Sequence, residues 1–158
     1  FEWGPRSLGA RSIIADPRRE EMKNIVNTKI KFREPFRPFA PSILLENVHD
    51  YFELEEKDEY LTEQFMLRVA KIKENMRKKI PSVDHFGTGR LQAVSKKSSP
   101  VYYALIKSFY ELTGVPVIMN TSFNIRGEPI VNTPNEAIDT FLKTDIDVLV
   151  CENYIIEK

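Results

Sequence analysis

The apolar positions of this 158-residue chain change period several times, and each change predicts an element. The run "ARSIIAD" reads as a short strand. Asp16 followed by Pro17 predicts a helix start, a capping residue with proline at the first helical position. Met22, Ile25, Val26 and Ile30 then recur at helical spacing and give that helix a buried stripe. "REPFRPFAPS" holds three prolines in seven residues, which excludes helix and favours extended backbone. "QFMLRVAKI" and "RLQAVSK" read as strands. From Pro100 to Thr113 the pattern is helical: Val101, Tyr102, Leu105, Ile106, Phe109 and Leu112 fall on one face, and Gly114 follows as a stop. "VPVIM" predicts a short buried strand. "TPNEAIDTFLKT" predicts a helix capped by Thr133, with Pro134 at its first position and Glu136 closing a capping box. "DVLVCENYII" predicts one or two final strands. Strands and helices interleave without a regular βαβ rhythm, so the expected class is α/β or α+β with a mixed sheet.

Composition narrows the picture. With 42% hydrophobic and 29% charged residues the chain is that of an ordinary globular protein, and its length fits one domain, residues 1–158. Its 23 basic and 23 acidic residues balance, which gives no support for a general nucleic-acid or membrane-surface binder. No apolar run approaches the roughly 20 residues of a membrane span. One cysteine, Cys151, allows no internal disulfide, so a reducing, cytoplasmic setting is expected, with Cys151 a packed thiol in "DVLVC". Charge is uneven: residues 1–37 carry nine Lys/Arg against five acids, and residues 46–63 carry eight acids against Lys57 alone. The acidic block reads as a solvated loop or helix. The chain opens on Phe1 in the middle of dense chemistry, "FEWGPRSLGARS", and is expected to be part of a longer polypeptide.

Four clusters offer chemistry. Gly4, Pro5, Arg6, Gly9 and Arg11 combine close backbone approach with planar cationic forks suited to phosphate or carboxylate; taken alone, a turn with solvated arginines is the plainer explanation. Lys31, Arg33 and Arg37 alternate with Phe32, Phe36 and Phe39 on a proline-stiffened segment. If extended, that segment points Lys31 and Arg33 one way and Phe32 the other, a rigid cationic row suited to a polyphosphate. "HFGTGR" places Thr88 between Gly87 and Gly89, ahead of Arg90, in a turn able to converge N–H groups on an anion. Asn120, Ser122 and Asn124 alternate at the C-terminal end of a buried strand, where open α/β sheets place ligands; a self-satisfied polar turn remains the alternative. His49 and His85 lack sequence partners, and no His, Cys, Asp or Glu set has metal-ligand spacing or forms a nucleophile–base pair. Such clusters would hold phosphates plus a small neutral or planar group.

The strings "GPRSLGARSIIADPR", "KIKFREPFRPFAPS", "GTGRLQAV", "LTGVPVIMNTSFNIRGEPIVNTP" and "DVLVCENYIIEK" resemble, in order and over nearly the whole chain, the C-terminal domain of the O-carbamoyltransferases of the nodulation, cephamycin and aminoglycoside type. The resemblance implies a YrdC/Sua5-like fold, a twisted mixed sheet with flanking helices around a basic cleft. It implies formation of carbamoyl adenylate from carbamoyl phosphate and ATP, the latter a substrate accompanied by Mg. A preceding Kae1-like domain, outside residues 1–158, would hold the metal of the full-length enzyme and move the carbamoyl group to an acceptor hydroxyl. Lys31 and Arg33 match the first half of the K-x-R…S-x-N pattern, and Ser122 and Asn124 the second. By this carry-over Lys31, Arg37, Arg90 and Ser122 are catalytic, while Arg6, Arg33, Thr88, Asn120 and Asn124 contact substrate or nucleotide. "HFGTGR" departs from the family's H-x-D-G-T: it is one residue shorter and carries Phe86.

Adenylation chemistry agrees with this residue set. It needs cations to cancel the repulsion of two anions and the charge that develops in transfer, and no acid–base pair is required. Two other readings share parts of the pattern: a threonylcarbamoyl-adenylate synthase-like domain, using threonine and bicarbonate, and a non-catalytic nucleotide- or RNA-binding module, whose binding would depend on salt and leave ATP unconsumed.

Overall fold

The computed structural model describes residues 7–55 and 60–158. In chain order the elements are β1 (Ser12–Ala15), α1 (Met22–Ile25) continued by a π-helical turn (Val26–Ile30), β2 (Ala40–Leu44), α2 (Val48–Tyr51) and β3 (Phe52–Glu53). Next come α3 (Leu61–Gln64), β4 (Val69–Ile72), α4 (Glu74–Arg77), β5 (Thr88–Arg90), β6 (Gln92–Val94) and α5 (Pro100–Thr113). The chain finishes with β7 (Val117–Ser122), α6 (Pro134–Lys143), β8 (Val148–Cys151) and β9 (Tyr154–Glu157). A four-stranded sheet has the order β1-β7-β2-β6, a three-stranded sheet β3-β4-β5, and β8 and β9 form a hairpin. In the first sheet β7 is antiparallel to both β1 and β2, whereas β2 and β6 are parallel. This is the mixed α/β architecture expected from the sequence.

The central strands are apolar on both faces because both faces are covered. On β7, Val117 and Met119 join the main core, while Ile118 points the other way into a second cluster. Ile43 and Leu44 of β2 divide in the same manner. The second cluster is closed by Tyr102 and Ile106 of α5. The main core also takes Phe52 and Ile72 from the three-stranded sheet, Phe141 from α6 and Leu149 from the hairpin, so the three sheets share one interior. Pro41 is tolerated inside β2 because β2 meets β6 only from Ser42 onward, so the missing N–H leaves no gap in that ladder.

Several elements differ from the sequence-based expectation. The first helix begins at Met22, five residues after Pro17. The Asp16 carboxylate instead accepts the Arg18 backbone N–H at 2.9 Å and pairs with the Arg18 guanidinium at 2.6 Å, which closes a turn where a helix was expected. "QFMLRVAKI" is a strand only from Val69, because Met66 turns in with φ 57° and sends Phe65 and Leu67 outward. "RLQAVSK" is divided: Arg90 ends β5, Leu91 is fully buried at the corner, and Gln92 begins β6 in the other sheet. On α5 only Tyr102 and Ile106 are fully buried, while Val101, Leu105 and Leu112 face solvent. Cys151 sits half-buried on the hairpin and not deep in the core. The capping box of α6 is present: the Glu136 N–H donates to Thr133 Oγ1 at 3.3 Å, and the Thr133 N–H to Glu136 Oε2 at 3.1 Å. Within the acidic block Glu63 is fully buried, its carboxylate taking Arg68 Nη1 at 3.2 Å and Thr62 Oγ1 at 2.7 Å. Among the described residues no helix is long and apolar enough to cross a membrane.

The loop before β1 is wedged against α5. A Cβ on Gly9 would lie 2.4 Å from the Tyr102 ring, and Gly9 has φ 95°. Gly9→Ala is therefore expected to destabilise the chain by about 1–3 kcal/mol, since overpacking and a strained φ act together. A thermal melt reads this directly, and an unchanged midpoint would contradict the packing described.

Candidate functional site: a basic cleft at the end of the central strand

The site is assembled where β7 ends. The strand stops at Ser122, and the chain turns sharply, with the Asn124 N–H donating to the Ser122 carbonyl at 3.1 Å. A four-residue turn follows, closed by the Glu128 N–H on the Ile125 carbonyl at 3.2 Å. Gly127 occupies its third position with φ 82°, a value that position of a type II turn demands and that glycine adopts without strain. From the other side comes the segment after the π-helical turn. Lys31 is right-handed helical and Phe32 has φ 48°, so the cationic row does not start as extended chain, as its alternation suggested. The Arg126 N–H donates to the Lys31 carbonyl at 3.2 Å and ties the two segments together.

Lys31 is the centre of this arrangement. Its side chain is 4% exposed. Its ammonium donates to the Ser122 carbonyl at 2.8 Å, the Asn124 carbonyl at 2.7 Å and Asn124 Oδ1 at 2.6 Å, with Ser122 Oγ at 3.3 Å. Ser122 Oγ in turn donates to Asn124 Oδ1 at 2.6 Å, and Asn124 Nδ2 to the Glu128 carbonyl at 2.7 Å. All these acceptors are neutral. Burial, and then Arg33 nearby, push the Lys31 ammonium down to about 7. The three short bonds need three protons, so they hold the charged form that burial opposes. The result is a cation poised near neutrality with no carboxylate among its contacts.

Lys31, Arg33, Arg37, Ser122, Asn124, Ile125, Arg126 and Gly127 line a cleft of about 210 Å³. That is below the roughly 300–1,000 Å³ of sites for drug-sized ligands, so the enclosed part suits a small anion and not a whole nucleotide. Its lining holds cations and no acid. Arg33 lies with its guanidinium carbon 4.8 Å from the centroid of the Phe39 ring. Burial, then Arg37, lower its pKa from the ordinary arginine value. Just outside, Glu34 pairs with Arg37 at 2.8 Å and lies 4.0 Å from Arg126.

The structure thus brings together Lys31, Arg33, Arg37, Ser122 and Asn124. It adds Arg126, which the sequence disguised as part of a polar turn. Asn120 stands elsewhere: it is buried between strands, its Nδ2 donating to Gln92 Oε1 at 2.7 Å and to Ser42 Oγ at 3.2 Å, while its Oδ1 has no partner. Thr88 and Arg90 lie on β5, outside the cleft lining; Thr88 Oγ1 donates to the His85 carbonyl at 2.8 Å. In that short motif Asp84, ahead of His85, accepts the Gly87 N–H at 2.6 Å and Arg77 Nε at 2.7 Å, so the turn has its aspartate on the other side of the histidine. Arg6 lies outside the described residues.

The chain matches the family model "Carbamoyltransferase C-terminus" over residues 1–158. It is 46% identical to nodulation protein NolO of Bradyrhizobium diazoefficiens over 158 residues, covering 99% of this chain and 28% of that protein. It is 45% identical to nodulation protein NolNO of Sinorhizobium fredii, covering 99% of this chain and 23% of that protein. The chain therefore spans about a quarter of the length of these curated relatives. A solved structure, HypF of T. kodakarensis, superposes with a TM-score of 0.56 over 85% of this chain and 17% of its own, at 19% identity, a likeness of fold that agrees with the mixed α/β architecture. With the family model matched from end to end, the chain belongs to the carbamoyltransferase C-terminal family.

Proposed function

We propose that the basic cleft binds carbamoyl phosphate and that, with ATP, this domain forms carbamoyl adenylate for later transfer to an acceptor hydroxyl. The observation that carries the reading is the cluster of four cations, Lys31, Arg33, Arg37 and Arg126, in a cleft sized for a small anion and lined with no acid. Atom balance sets the task. A new O–P bond forms at the α-phosphorus of ATP and pyrophosphate leaves. The carbamoyl–phosphate link breaks, phosphate leaves, and a water supplies the oxygen that completes the balance. Every species handled is anionic, so fixed cations at the meeting point lower the repulsion between them. Ser122 Oγ and Asn124 offer short neutral groups beside those cations, suited to a carbamoyl amide or a phosphate oxygen. Thr88 and Arg90, on β5, would then serve the nucleotide from outside the enclosed part of the cleft, whereas the buried Asn120 would act only by holding Gln92 and Ser42 between the strands. Mg would travel with ATP, and a Kae1-like domain of the longer polypeptide would carry out transfer in the cytoplasm.

The test is pyrophosphate release from ATP. Release that requires carbamoyl phosphate, and that falls about a hundredfold or more in Arg37→Ala as expected for loss of a preorganised charge, supports the reading. Release driven by threonine and bicarbonate instead would favour the synthase-like reading. Salt-sensitive RNA binding with no ATP consumption would favour the binding module.

A further inference from the structure

Asn27 is a buried polar residue beside the cleft that the site as described leaves unused. It is fully buried, in the π-helical turn Val26–Ile30 that leads into the cleft. That turn is closed by the Lys31 N–H on the Val26 carbonyl at 2.8 Å, five residues back. Single π-helical turns are uncommon and recur at functional sites. Each polar group of the Asn27 side chain is engaged with the cationic segment. Nδ2 donates to the Pro35 carbonyl at 3.2 Å and to the Arg37 carbonyl at 3.0 Å. Oδ1 accepts Arg33 Nε at 2.7 Å, and the Asn27 carbonyl accepts the Arg33 N–H at 2.9 Å. One residue therefore fixes the start, middle and end of the segment that carries Arg33 and Arg37.

The consequence for Arg33 is geometric. Its Nε is held by Asn27, and the guanidinium lies over Phe39. Among the described residues its terminal amino groups have no hydrogen-bond partner, and Arg33 lines the cleft. A guanidinium held at Nε and packed against a ring keeps its remaining fork in one orientation, which is what bidentate recognition of an anion needs. We propose that Asn27 is a positioning residue of the anion site: it aims the Arg33 fork and holds the loop bearing Arg37, setting anion affinity without touching the ligand. The proposal rests on the reading of the cleft given above.

Carbamoyl phosphate is titrated calorimetrically into the full chain, Asn27→Ala, Asn27→Asp, Arg33→Ala and the double variant Asn27→Ala/Arg33→Ala, with thermal melts alongside. Asn27→Ala is expected to weaken binding by about tenfold or more, the scale of one charge-assisted hydrogen bond. The same substitution in the Arg33→Ala background is expected to cost a clearly smaller factor, because the group it positions is gone. Should Asn27→Ala fail to fold, Asn27→Asp keeps the acceptor for Arg33 but loses both donors to the loop, and folded Asn27→Asp is expected to bind more weakly than the parent. Parent-like affinity in a folded Asn27 variant, with only the melting temperature lowered, overturns the proposal, as does an equal loss in both backgrounds. A parent chain that does not bind carbamoyl phosphate overturns the underlying reading of the cleft, and that outcome is distinct from either of these.

Discussion

Lys31→Met lowers affinity for carbamoyl phosphate by about a hundredfold. At an effective dielectric of about 20 and a separation of about 6 Å, one unit charge contributes about 3 kcal/mol toward a singly charged neighbour, which is about two decades in Kd. Methionine keeps the bulk and removes the charge. It also leaves the Ser122 and Asn124 carbonyls without their short donor, so stability falls by about 1–3 kcal/mol as measured by denaturant titration. The loss of affinity has a pH counterpart. Burial and Arg33 bring the ammonium down to about 7, so the parent site is charged below that pH and loses its charge above it. Affinity is then flat on the acid side and falls by about tenfold per pH unit on the alkaline side, while Lys31→Met shows no such slope. Stability runs the opposite way. The folded pKa is depressed below the unfolded value of about 10.4, so between about pH 7 and that value the unfolded chain binds more protons and the Lys31 contribution to folding stability rises with pH.

Asn124→Asp, a change of one atom, costs nearly as much. Asn124 Oδ1 lies 2.6 Å from the Lys31 ammonium, so a carboxylate there satisfies the cation from within. The positive potential that the cleft offers an incoming anion is cancelled, at about 2–3 kcal/mol, which is about thirty- to a hundredfold in affinity. The pKa of Lys31 rises toward its ordinary value because the new charge favours the ammonium, and the alkaline loss of binding moves well above pH 7. The substitution also removes the donor to the Glu128 carbonyl, so the turn that follows β7 loosens. Calorimetric titration across pH reads both effects. Parent-like affinity in Asn124→Asp would show that the Lys31 charge is not what the ligand feels.

Much of this site was legible in the sequence, because its signals are local. Lys31 with Arg33, and Ser122 with Asn124, each stand two residues apart beside prolines or a buried strand, and the structure seats all four around one cleft. The reason they converge is different from the expected one: Phe32 at φ 48° and the turn after Ser122 supply the convergence, and extended backbone does not. Asn27 was hidden because it sits between Val26 and Ile30 in a pattern that reads as an ordinary amphipathic helix, and a π-helical turn leaves no mark in apolar spacing. Arg126 was hidden because turn arginines are usually solvated. In the fold, the strong local punctuation was read correctly: Thr133 with Glu136 at the start of α6, and the end of α5 at Thr113. What failed depended on tertiary partners. The exposure of Val101, Leu105 and Leu112 on α5 is settled by which sheet face the helix covers, and the break at Leu91 by a second sheet that shares the same run of sequence.

The central claim is that a buried, neutral-poised lysine makes this cleft an anion site for carbamoyl phosphate. Its most direct test is calorimetric titration of carbamoyl phosphate at about pH 8 in two buffers of different ionisation enthalpy, on the parent chain and on Lys31→Met. With Lys31 mostly neutral at that pH, binding is predicted to take up close to one proton in the parent. It is predicted to be weak and without proton uptake in Lys31→Met. Binding of equal strength in both proteins, or no binding in the parent, would contradict the account.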